Sequence, residues 1–128
     1  ARSSVLQEKI GTLFLEKAKI GEAINRWETA LTLRTTPQQR LRLLRETADL
    51  QSNFRQQAKA FEKYDRILKE YPDQAGELEL RKKQLDLARD LKRKDVDFLA
   101  AEVKRLTPAP IQTLKKLIVE RLLLEPSM

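Results

Sequence analysis

The sequence predicts an all-α chain, a right-handed superhelical stack of antiparallel hairpins with about seven helices, on three observations. Only three Gly (Gly11, Gly21, Gly76) stand among 128 residues rich in Leu, Lys, Glu, Arg, Ala and Gln, the residues that lose least on entering a helix. No segment alternates with the period of two that a strand requires. One apolar spacing also recurs: Ala23, Trp27, Ala30 and Leu31 are matched thirty-seven residues on by Ala60, Tyr64, Ile67 and Leu68. On a helix, offsets of three and four put small and large side chains on one face, one turn apart, which is a packing device.

Breakers place the helices near 3–18, 21–33, 37–54, 57–70, 74–92, 95–106 and 110–124. The first carries Gln7, Ile10, Gly11 and Phe14 on one face and ends at a joint near Gly21. The second holds Ala23, Trp27 and Ala30 and stops at RTTPQQ, where Thr36, Pro37 and Gln39 form a capping box that starts the third. That third helix repeats the first, with Leu44, Thr47, Ala48 and Gln51 in the matching places. The fourth follows a weak joint at 53–56, contains AFEKYDRILKEYP, and closes at Pro72. The fifth starts after EYPDQAG and runs to a joint near 92–95, and the sixth offers Val96, Ala100 and Val103 before Pro108 and Pro110. The seventh presents Ile111, Leu114, Leu117, Ile118 and Leu122 on one face and Lys115, Lys116, Glu120 and Arg121 on the other. It reads as a terminal cap whose broad apolar face meets either further chain or a second copy, the second case being self-association through 110–124.

The paired helices resemble the tetratricopeptide repeat (TPR), a helical hairpin of about 34 residues with a W..LG..Y first helix and an A...F...P second helix. The resemblance implies that Gly11 and Ala48 are small residues where the two helices of a hairpin cross. Ala23 and Ala60 play the reciprocal part, and Trp27 and Tyr64 fill the groove against the next hairpin. Phe14, Ala30 and Pro72 complete the set of repeat positions. The chain departs from the pattern at Gln7, where Trp is usual, and at Gln51, where an aromatic is usual. Thr35 stands where the first repeat would close on Pro, and its linker is about three residues longer than the family's. One domain over 1–128 is expected, with units near 4–36 and 37–73 and a degenerate third near 74–107. The start at Ala instead of Met reads as a fragment of a longer protein or a processed one.

Composition narrows function sharply. There is no Cys and no His, which removes disulfides, thiolate nucleophiles, imidazole bases and the usual zinc ligands together. No phosphate loop is present, because the three Gly are scattered and none opens a GxxxxGK pattern. Acidic residues such as Glu16, Glu22, Glu28, Asp86, Asp90 and Asp95 sit among Lys and Arg at helical spacings, which fits solvated ion pairing. No enzyme, cofactor or metal site is expected. No apolar run approaches the roughly 20 residues of a membrane span, and the chain reads as soluble, with the cytoplasm favoured.

The expected role is therefore non-catalytic: a scaffold or adaptor that binds a protein or peptide. The resemblance places a ligand in the groove lined by the first helix of each hairpin. Carried across, the groove positions are Glu8, Thr12 and Leu15, then Arg42, Arg45, Asp49 and Asn53, then Arg81, Leu85 and Arg89. Arg on the later two units suits an acidic or carboxylate-bearing peptide. The family's clamp for a chaperone tail needs Lys and Asn in the first unit, where Glu8 and Thr12 stand. The alternative is binding of RNA or another polyanion. Formal charge is +7, and RKKQLDLARDLKRK gathers Arg81, Lys82, Lys83, Arg89, Lys92, Arg93 and Lys94, but without the aromatics that stack bases.

Overall fold

The computed structural model describes residues 2–73 and 76–108, and every regular element among them is helical. The order is α1 (Arg2–Glu16), α2 (Ile20–Thr32), α3 (Pro37–Asn53), α4 (Gln57–Glu70), α5 (Glu77–Leu91) and α6 (Val96–Leu106). Consecutive helices pack on each other: α1 with α2, α3 with α4 and α5 with α6 form hairpins, and α2 on α3 and α4 on α5 stack them. The seventh helix expected at 110–124, with its proposed self-association, lies outside the described residues.

Each hairpin turns through one residue in the left-handed region: Ala18 at φ 60°, Arg55 at 59° and Lys92 at 56°. These stand thirty-seven residues apart, and so do the backbone bonds that close them. Lys19 N donates to Phe14 O at 2.9 Å, Gln56 N to Gln51 O at 3.0 Å and Arg93 N to Ala88 O at 2.9 Å. A bond from one residue past the left-handed position back to the last helical turn is a Schellman closure. The third hairpin, degenerate in sequence, therefore turns as the first two do. Gly21, expected to mark the first joint, instead lies one residue inside α2, and Ala18 makes the bend.

A side chain with Cβ costs about 1–2 kcal/mol in the left-handed region, and Gly avoids this at an entropic cost of about 0.5–1 kcal/mol. Ala18→Gly, Arg55→Gly and Lys92→Gly are accordingly expected to raise stability by about 0.5–1 kcal/mol each, additively. Urea melts check this, and a loss of stability in all three would contradict the turn geometry.

The core follows the repeated spacing. Ala23, Ile24, Trp27 and Ala30 of α2 are buried, as are Ala60, Phe61, Tyr64 and Ile67 of α4, position for position. At Gly11 the indole of Trp27 lies so close that a Cβ would come within 2.5 Å of Nε1, and that Nε1 donates to Glu8 O at 3.1 Å. Trp27 also packs with Leu43 of the next hairpin. It is thus seated within its own hairpin and against the following one.

The third hairpin departs from this relation. Thirty-seven residues beyond Ala48 stands Leu85, buried, and thirty-six beyond Tyr64 stands Ala100, packed on the same cluster. The first helix thus carries a large side chain where Gly11 and Ala48 are small. Phe14, expected in the core, is only half-buried with Arg26 6.0 Å from its ring centroid. Its counterpart Gln51 is fully buried. The Gln51 amide accepts from Lys63 Nζ at 2.7 Å and donates to Glu28 Oε1 at 3.1 Å, which ties α2 to both helices of the second hairpin. Burial pushes the Lys63 ammonium below its usual range, partly offset by Glu28.

The start of α3 is half of the expected capping box. Thr36 Oγ1 accepts from Gln39 N at 3.1 Å with Pro37 in the first turn. The Gln39 side chain reaches instead to the first hairpin, donating to Glu8 Oε1 at 3.2 Å.

Candidate functional site

Two adjoining cavities run along the first helices. One, about 540 Å³, lies between α1 and α3 and is lined by Glu8, Thr12, Leu15, Trp27, Arg42, Glu46, Asp49, Leu50 and Asn53. The other, about 500 Å³, lies between α3 and α5 and is lined by Asp49, Ser52, Asn53, Gln57, Tyr64, Lys83, Asp86, Leu87 and Asp90. Asp49 and Asn53 border both, which makes them one groove. Its floor is set by the hairpin packing, because Trp27 and Tyr64 come up from the second helices at matching places between neighbouring first helices.

Of the groove positions carried over from the resemblance, the structure brings together Glu8, Thr12, Leu15, Arg42, Asp49 and Asn53. Arg45 lies half-buried on α3 outside both cavities, and so do the three residues assigned to the third unit. Arg81 turns to its own hairpin's neighbour, with Nη1 2.9 Å from Gln84 Oε1 and 4.0 Å from Asp65 Oδ1. Leu85 is core, and Arg89 is exposed away from the cavities. The groove residues of α5 are Lys83, Asp86, Leu87 and Asp90. The thirty-seven-residue offset from Gly11 to Ala48, applied once more, carries Glu46, Asp49 and Asn53 to Lys83, Asp86 and Asp90. That signal was in the sequence.

The charge of the groove differs from the Arg-rich surface expected. Five carboxylates (Glu8, Glu46, Asp49, Asp86 and Asp90) face two cations, Arg42 and Lys83. Both cations are already engaged. Arg42 makes a two-pronged contact with Glu8, with Nη2 to Oε1 at 2.9 Å, and stands 3.7 Å from Glu46. Lys83 Nζ lies 3.0 Å from Asp49 Oδ1 and 5.5 Å from the Tyr64 ring centroid. The Tyr64 hydroxyl donates to the same Asp49 oxygen. Its pKa is raised by burial first and by the Asp49 hydrogen bond second. Each ion pair joins residues 34 apart, α1 to α3 and α3 to α5, and so bridges adjacent first helices across the groove.

Comparisons with protein families, with curated proteins and with solved structures find no match for this chain. Among the described residues no group of three or more His, Cys, Asp or Glu is placed to hold a metal ion. No described helix is long and apolar enough to cross a membrane.

Four cations of the basic run at 81–94 are engaged with other side chains, and Arg89, Lys92 and Lys94 are exposed. Lys83 enters the groove, Arg81 faces Asp65, and Lys82 lies 3.8 Å from Glu79. Arg93 stacks 3.8 Å from the Phe61 ring centroid and pairs with Asp95 at 3.0 Å.

The Arg42 hydrogen bond holds the Glu8 carboxyl below the usual Glu range, with desolvation opposing and the Gln39 amide adding to the lowering. Because the folded pKa lies below the unfolded one, this stability is fully present above about pH 4.3 and is lost as pH falls through the folded pKa. Glu8→Gln is therefore expected to be less stable than the parent at neutral pH. The gap should shrink as the pH falls below about 4. Urea melts at stepped pH check this, and a gap that widened in acid would rule it out.

Proposed function

We propose that this chain is a non-catalytic helical-repeat module that seats a segment of a partner protein in the groove along α1, α3 and α5, as a scaffold or adaptor does. The observation that carries the reading is the continuity of that groove: two cavities share Asp49 and Asn53 and have Trp27, Leu15 and Leu50 as apolar floor at one end. A concave, partly apolar cleft with a few polar groups is what recognition needs. The TPR resemblance supports the reading through the hairpin stack and the small-against-large packing of Gly11 and Trp27. The thirty-seven-residue period is longer than the family's.

Site-directed photocrosslinking tests it. A benzoylphenylalanine at Asn53, between the two cavities, is expected to trap a protein partner from extract, whereas one at Lys69 on the outer side of α4 is not. Adducts at both positions alike would defeat the groove assignment. Adducts that vanish with nuclease would favour the polyanion alternative.

A further inference from the structure

We infer that the segment seated in this groove is cationic, an extended peptide with Lys or Arg side chains toward α5 and an apolar side chain toward Trp27. The inference rests on the groove reading and names its ligand chemistry.

The expectation of an acidic ligand required several unengaged Arg along the groove, and the structure puts Arg81 and Arg89 outside it. An incoming carboxylate would have to displace Glu8 from Arg42, or Asp49 from Lys83, to gain a cation. It would then lie beside the remaining carboxylates, where like charges repel. A guanidinium or ammonium meets the opposite situation. Asp86 and Asp90 stand one turn apart on α5, facing the groove beside Tyr64 and Leu87. Residues at this spacing lie about 5–6 Å apart, so one guanidinium can bridge both. The only described partner of either is the Gln57 amide, 3.3 Å from Asp90 Oδ2. At the other end, Leu15, Trp27 and Leu50 offer apolar surface.

The charge is local and not a by-product of composition, since the chain as a whole carries +7 while the groove has more carboxylates than cations.

The test uses three fluorescent nonapeptides: Lys alternating with Ser around two Leu, the same peptide with Glu for Lys, and the same with Gln for Lys. Binding is read by anisotropy near physiological ionic strength and by emission of Trp27, the only Trp of the chain. The Lys peptide is expected to bind about tenfold more tightly than its Glu twin, to shift Trp27 emission, and to weaken as salt rises. Asp86→Asn with Asp90→Asn should reduce its affinity about fivefold and leave helical content and melting midpoint unchanged.

Equal or tighter binding of the Glu peptide overturns the inference, as does Lys-peptide affinity indifferent to the double substitution or absent up to millimolar concentration. If the Glu or Gln peptide shifts Trp27 emission while the Lys peptide does not bind, the charge assignment fails and the groove survives. If no peptide shifts it, the groove reading fails as well.

Discussion

Trp27→Ala is expected to cost about 3–5 kcal/mol, the range for removing a large buried aromatic. Against the about 5–15 kcal/mol of a typical domain, that is enough to leave the chain partly unfolded in mild denaturant. The indole is 5 % exposed, its Nε1 is bonded to Glu8 O, and it packs with Ala30 and Leu43. Removing it opens a hole that two hairpins share, because Gly11 beneath it has no side chain to fill the space. Urea unfolding followed by far-UV circular dichroism checks this. A loss below about 1 kcal/mol would mean the ring is not wedged as described.

The second large effect concerns Leu85 of α5 and Ala100 of α6, which pack on one core cluster. Leu85→Ala is expected to cost about 2–4 kcal/mol, since it empties part of a buried site in the core. Restoring bulk from the other side with Ala100→Leu should recover part of that loss, giving a coupling of about 1 kcal/mol or more in a double-mutant cycle. Alone, Ala100→Leu should destabilise by overpacking, by about 1–3 kcal/mol. Simple additivity of the two changes would show that Leu85 and Ala100 do not share one space.

The six described helices were legible in the sequence to within about three residues, because Pro37, Pro72 and the helix-forming composition are local signals. The pairing of Ala23, Trp27 and Ala30 with Ala60, Tyr64 and Ile67 was legible for a related reason, since burial selects residue type at each turn. The α5 side of the groove was not. Its core positions changed identity, with Leu85 where Gly11 and Ala48 predict a small residue, and this obscured the register and drew attention to Arg81 and Arg89. Nor could the first joint be read at Ala18, because three ordinary side chains occupy left-handed positions that usually advertise themselves by Gly. The neutralisation of Arg42 by Glu8 depends on how one hairpin sits on the next, which no local spacing encodes.

The bulk of Leu85, where the other two hairpins have Gly11 and Ala48, also bears on how the chain finds its own partners. Three similar hairpins joined in sequence invite mispairing, the failure to which repeated architectures are prone. Pairing α5 with α2 as a hairpin would bring Leu85 to the place of Gly11, where the Trp27 indole leaves no room even for a Cβ. That mistake would overpack a site the native hairpin leaves to a glycine, so the bulk of Leu85 disfavours one exchange of helices as the chain folds.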